Sequence, residues 1–292
     1  MKSLFTALLV CTAICRAVSA GETTRIVIVV GPSNHPPGSH EVAAGGRVMQ
    51  YCLEQMENVV GVKADVFYEW PEQAARDTAA AVVFIGDTFP LNRLPDADQN
   101  LADLEVMMRR GCGIVCVHYA TGLLGEDVAS DGDHPLLRWL GGYFANRTCP
   151  HHESIARIYR DATITPSSPS HPISRGWQEF TLHDEPYINN YFGKDENKLA
   201  PNVTALATSL LPPEKPKCET VAWCVERRDG GRGFGIVMPH FYKNWSNEAL
   251  RCFILNGIVW TAKRDVPAAG VQIALPDLTT FKPESVSVLP RP

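Results

Sequence analysis

Gly111-Cys112-Gly113-Ile114-Val115-Cys116-Val117-His118-Tyr119-Ala120-Thr121 runs from a glycine-bracketed turn through four apolar residues to an abrupt polar stop. Ile114 to Val117 has the composition of a strand buried on both faces of a sheet. The run ends at His118, followed by small, loop-forming residues. In an open α/β sheet, ligands bind where parallel strands end and turn toward helices. A histidine at that place either meets a ligand or caps the strand by bonding a backbone carbonyl, and both readings stand for His118.

Upstream, the pattern repeats. Arg25 to Gly31 is a continuous apolar run, followed by a Pro/Gly/Ser loop from Pro32 to His40 that carries His35 and His40. Glu41 to Glu57 places apolar residues at three- and four-residue intervals, the mark of an amphipathic helix. Val62 to Tyr68 alternates like a strand. Ala80 to Gly86 is a second fully apolar run, ending at Asp87, and Ala97 to Arg110 is a helix closed by Gly111. This alternation predicts a doubly wound parallel sheet with right-handed crossovers. Its strand ends bring His35, His40, Asp87 and His118 to one edge.

Downstream, the chain is less regular and richer in strand-like segments. Leu136 to Gly142 reads as a short helix, with His134 as its cap, and is followed by an irregular loop carrying His151 and His152. Ser154 to Tyr159 alternates like a strand. Pro166 to Pro172 is a loop in which His171 fixes an extended turn before proline. Phe180 to Tyr187 holds the polar triplet His183-Asp184-Glu185. Val221 to Glu226 and Gly233 to Val237 form an antiparallel pair around Asp229-Gly230-Gly231. Asn247 to Ala262 is the last helix, and residues 266–292 read as a Pro-rich tail lying on the surface or disordered.

Lys2, the apolar run Leu4 to Cys15 and the small residues of Val18-Ser19-Ala20 predict a signal peptide over 1–20, cleaved near Gly21. Export to the periplasm or the extracellular space follows from it. With 27 basic and 32 acidic residues and a net charge of −5, the chain has no basic stripe, which excludes a nucleic-acid partner of the usual kind. No second apolar run reaches membrane-spanning length. Of nine cysteines, Cys11 and Cys15 leave with the signal, and the odd remainder is too irregularly spaced for a disulfide framework. Cys112 and Cys116 read as small buried apolar residues. The oligomeric state is left open.

The motifs form an ordered set: His35-Pro-Pro-Gly-Ser-His40-Glu41, Cys116-Val-His-Tyr-Ala120, Gly141-Gly-Tyr-Phe144, Pro150-His151, His171-Pro-Ile-Ser-Arg-Gly176, Asp184-Glu185, Val221-Ala-Trp223, Asp229-Gly-Gly-Arg-Gly-Phe-Gly235, His240-Phe241 and Asn256-Gly-Ile-Val-Trp-Thr-Ala262. By this set the chain resembles the ThuA-like, or trehalose-utilisation-like, proteins, in particular their exported bacterial branch. The resemblance implies a ThuA-like domain over 21–265 with the flavodoxin-like α/β fold of class I glutamine amidotransferases. Those enzymes keep a cysteine in a Gly-x-Cys-x-Gly turn, where this chain has His118. Their histidine precedes Pro-Glu, where His240 precedes Phe241-Tyr242. Thiol-based glutamine hydrolysis therefore lacks its nucleophile and its orienting glutamate. Tyr242-Lys243, Pro186-Tyr187 and Val42 depart from the branch pattern and thin its polar donors.

The resemblance further implies a carbohydrate ligand, extending to glycosides and keto-sugars, and a role in carbohydrate metabolism. Three uses of the histidine-rich pocket stay open. His118, His240, His151 and Glu185 could hold a divalent metal such as zinc. His118, His240 and Glu185 could instead act as metal-free acids and bases. A sugar-binding or scaffold module without catalysis is the third. His35, His40, Asp87, Tyr119, His151, Asp184 and Trp245 are the expected substrate contacts, with Trp245 the best placed aromatic for a sugar face. Trp223 and Tyr187 could also stack on a sugar ring, but aromatic residues of this kind are core more often than ligand platforms.

Overall fold

The computed structural model describes residues 23–286, so the expected signal peptide lies outside the described residues. Five parallel strands make the core: β1 (Thr24–Val30), β2 (Val62–Phe67), β3 (Ala79–Ile85), β4 (Gly113–Val117) and β11 (Arg232–Ile236), ordered β2-β1-β3-β4-β11. This is the flavodoxin-like order expected from the sequence. Every residue of β4 is buried, as are Val27 to Val30 and Ala81 to Ile85. Each Val or Ile removed from water in these runs stabilises the fold by roughly 1.5–3 kcal/mol.

The sheet continues beyond β11 as antiparallel β10 (Lys217–Glu226), β9 (Val203–Leu211), β7 (Tyr159–Pro166) and β8 (Phe180–Asp184), giving nine strands of mixed direction. Two-residue strands β5 (Gly122–Leu123) and β6 (Phe144–Ala145) pair separately. Helices α1 (Val42–Glu54), α2 (Gln73–Thr78), α3 (Ala97–Arg109) and α4 (Pro135–Leu140) lie in the connections, and α5 (Glu248–Thr261) follows the last strand. Neighbouring β11 residues show that both faces are covered. A Cβ on Gly233 would meet Trp139 of α4, whereas Phe234 presses on Gly257 of α5.

Two local expectations need correction, and one strand was not foreseen. Ser154 to Tyr159 is not a strand; Ile155 makes a single bridge to Ile188, and β7 begins only at Tyr159. β9 carries no clear strand signature, because Ala205, Ala207 and Ser209 dilute its β-branched residues. The described part of the expected tail, 266–286, runs over the surface, with Gln272, Asp277 and Lys282 exposed, but is anchored by Val266, Val271, Leu278 and Phe281, which are buried against the core. These apolar residues follow no regular period, so the sequence pattern conceals them.

Candidate functional site

The carboxyl ends of β1, β3, β4 and β11 face one edge, and the loops leaving them carry His35 and His40, Asp87, His118, and His240 respectively. The β1 and β3 ends approach so closely that a Cβ on Gly86 would lie 3.0 Å from the Cα of Gly31. That contact, available only to glycine, brings the Asp87 turn beside the His35–His40 loop. The His40 and His240 loops are joined by an antiparallel bridge between Ser39 and Phe241. The His40 N–H donates to the His240 carbonyl at 2.9 Å, and the Tyr242 N–H donates to the Gly38 carbonyl at 3.0 Å.

Three imidazole nitrogens meet in the space so formed. His40 Nε2 lies 2.8 Å from His118 Nε2 and 3.0 Å from His240 Nδ1, and the third separation is 3.2 Å. Glu185 Oε2 is 3.1 Å from His240 Nδ1. One donor atom from each of His40, His118, Glu185 and His240 falls within 4.8 Å of all the others. Tyr187, stacked on His118, brings its hydroxyl to 3.0 Å from His118 Nε2. A cavity of about 20 Å³ is lined by the three histidines, Tyr119 and Trp245 among others. Its volume admits one water-sized occupant.

The protons of two rings can be assigned from their outer partners. Asp87 Oδ1 accepts from His40 Nδ1 in a short contact, and Oδ2 accepts from His35 Nδ1 at 2.8 Å. Burial works to raise the Asp87 pKa, but the bonds from His35 and His40 overcome it and hold the carboxylate well below the usual range. The Val237 carbonyl, 3.0 Å from His118 Nδ1, can only accept. Both neutral rings therefore carry their proton on Nδ1 and present a bare lone pair at Nε2. Burial, the largest influence on each ring, pushes His40 down to about 4 and His118 well below its ordinary value. The two Nε2 lone pairs thus lie 2.8 Å apart, with the Tyr187 hydroxyl 3.0 Å from that of His118 and His240 Nδ1 3.0 Å from that of His40.

Backbone strain marks the same place. His40 (φ 41°) and His118 (φ 52°) both occupy the left-handed region, at a cost of about 1–3 kcal/mol each. For His118 this is the turn immediately after β4. The strand-end histidine bonds a carbonyl, as the capping reading expects, and turns its other nitrogen toward the pocket.

The structure redistributes several expected roles. His151 is not in the four-residue cluster; it packs against Tyr191 and bonds the Tyr143 hydroxyl at 2.8 Å, and His40 stands in the cluster instead. Asp184 is wholly buried, and its Oδ1 accepts the His240 and Phe241 N–H groups at 2.8 and 3.1 Å. It therefore fixes the His240 loop. Burial raises its pKa to about 6, against the opposing influence of His240 and the backbone donors. Trp245 is 2% exposed and forms part of the cavity wall, which removes it as a platform for a sugar. His35 stacks on His40 and, with Tyr119, is the more accessible part of the cluster. Tyr119 also receives a hydrogen bond from Asn146 at 3.0 Å. Tyr187, which reads as core in the sequence, belongs to the site; its place two residues after Glu185 is the signal that points to it. Cys116 is fully buried, and burial drives its thiol well above the ordinary range.

Residues 38–261 match the family described as ThuA, trehalose utilisation. The chain belongs to the ThuA family. Among solved structures, this ThuA chain is similar to a ThuA-like protein from Bacteroides uniformis, with TM-score 0.60 and 12% identity over 86% of this chain and 96% of the other. A ThuA-like protein from Parabacteroides merdae gives 0.58 and 16%, covering 88% and 94%. A glutamine amidotransferase from Thermotoga maritima matches at 0.41 and 8%, covering 83% and 97%. At these identities the likeness concerns the fold. A search of curated proteins found no match.

Proposed function

We propose that this chain is an exported enzyme of carbohydrate metabolism whose pocket holds a divalent cation, zinc foremost, on His40, His118, His240 and Glu185. The observation that carries the reading is the 2.8 Å approach of two imidazole lone pairs. A shared cation removes that repulsion, and three imidazoles with one carboxylate are a donor set suited to zinc. Asp87 on His40 and the Val237 carbonyl on His118 are the outer partners that fix ligating rings in one tautomer.

When bound, the ion would polarise a sugar carbonyl or lower the pKa of a water molecule. The residues themselves divide the remaining work. Glu185, its Oε2 3.1 Å from His240 Nδ1, is the one carboxylate of that donor set and offsets part of the ion's charge. The Tyr187 hydroxyl, whose pKa burial holds well above its ordinary value, keeps its proton and can donate a hydrogen bond to a substrate oxygen. His35 and Tyr119, at the accessible side, are positioned for sugar hydroxyls. The family description supports carbohydrate as the substrate class, and the N-terminal sequence supports export.

Elemental analysis of purified mature protein, before and after chelation, tests the cation. One equivalent in the wild type and loss of it in His118→Ala is the expected result. A panel of glycosides and 3-keto-glycosides tests the substrate. Turnover that disappears in His118→Ala and His240→Ala supports the assignment. Ligand-induced thermal stabilisation without turnover would establish a binding module in its place.

A further inference from the structure

The C-terminal segment lies beyond the family match, which stops at residue 261, yet it is bonded to both histidine loops. Glu41 directly follows His40. Its Oε1 accepts the Gly38 N–H at 2.9 Å from within the loop and the Ser285 N–H at 2.9 Å from the C-terminal segment. Its Oε2 accepts the Glu284 N–H at 3.0 Å. Tyr242, two residues after His240, donates its hydroxyl to the Leu278 carbonyl at 2.9 Å. Arg47, one turn further along α1, donates to the Phe281 and Lys282 carbonyls at 2.8 and 3.0 Å. Phe281 is buried, with its ring against Tyr51.

We infer that residues 278–285 are a clamp that holds the His40 and His240 loops in register, with Glu41 and Tyr242 as positioning residues. The loops need such support. His40 sits in the left-handed region, and a strained conformation persists only where its surroundings over-determine it. The Ser39–Phe241 bridge supplies one tie between the loops, and the clamp supplies a second tie from outside. A carboxylate receiving N–H donors from both the loop and the clamp makes charge-assisted bonds, stronger than neutral ones. Replacing the carboxylate by an amide turns one of these acceptors into a donor facing N–H groups.

The test uses full-length mature protein carrying Glu41→Gln or, separately, Tyr242→Phe, and follows native-state hydrogen exchange. In both variants the bridge amides of His40 and Tyr242 are expected to exchange at least tenfold faster, while amides of β9 and β10 keep wild-type rates. Leu206→Ala, in the core of β9, serves as a control for general destabilisation. Unchanged exchange at both loops would overturn the clamp. So would an increase shared equally by β9 and β10, which is the signature of a merely structural anchor. The consequence for the pocket rests on the cation reading and is measured separately as zinc affinity, expected to fall at least tenfold in both variants. A wild type without zinc affinity refutes the cation reading and leaves the exchange result to decide the clamp. Wild-type affinity retained in both variants overturns the clamp's part in the site.

Discussion

His40 Nε2 and His118 Nε2 lie 2.8 Å apart, although each ring has committed its proton to the opposite side, to Asp87 and to the Val237 carbonyl. A hydrogen bond needs a donor, and neither nitrogen supplies one. The pair joins the loop after β1 to the turn after β4, two strands that flank β3 in the sheet.

Asp87→Asn tests the outer partner. An amide can place its NH2 group against the His40 or His35 ring, freeing the tautomer that Asp87 fixes. Zinc affinity is expected to fall about 10–100-fold with the fold retained. Titration with zinc against a competing chromophoric chelator reads the change directly. Equal affinity in the variant would remove Asp87 from the site's design.

His118→Gly and His118→Ala both delete the imidazole, so both remove one donor of the proposed cation site. They differ in backbone tolerance. At φ 52° glycine is at ease and alanine is not. His118→Gly is therefore expected to be the more stable of the two, by about 1–2 kcal/mol in urea denaturation. The usual order, alanine above glycine, would show that the turn relaxes when the ring is removed.

His134 gives a pH dependence remote from the pocket. Its Nδ1 accepts the Leu136 N–H at 3.0 Å as the cap of α4, and burial lowers its pKa to about 4. Arg138 lowers it further, whereas Asp133 works in the other direction. In the unfolded chain the ring titrates near 6.5. Between these values the unfolded state binds the extra proton, so stability present above about pH 6.5 is lost as the pH falls toward 4. The contribution is up to about 3 kcal/mol. His134→Asn keeps a capping acceptor without titrating. Its loss of stability between pH 7.5 and 5 is expected to be visibly smaller than that of the wild type.

Cys116 offers a negative control. Its thiol is buried and raised well above the range of a working nucleophile. Cys116→Ala is expected to leave any sugar-directed turnover unchanged and to cost about 1 kcal/mol of stability through lost packing. Neither protein is expected to hydrolyse glutamine. Glutaminase activity in the wild type that Cys116→Ala abolished would reverse this conclusion.

The parallel half of the sheet was legible because strands buried on both faces leave unbroken apolar runs, and those runs end where ligands bind. Asp87, His118 and the His35–His40 loop could thus be brought together from topology alone. Exchanging His151 for His40 in the donor set needed side-chain directions, which neither spacing nor composition carries. The antiparallel extension was harder to read, since β9 mixes alanine and serine among its β-branched and leucine residues. The buried C-terminal segment is invisible to periodicity because its apolar residues are anchors spaced by the path of the chain.

The contact between His40 and His240 spans 200 positions. Anything that bridges the two rings closes a loop of that length, which works as a reversible crosslink between the first and last parallel strands. Its affinity is thermodynamically linked to the folding of the whole sheet, because the donors converge only after β11 has docked. Occupancy of so small a pocket would thus stiffen the entire domain, and chelation should be felt first as a fall in global stability.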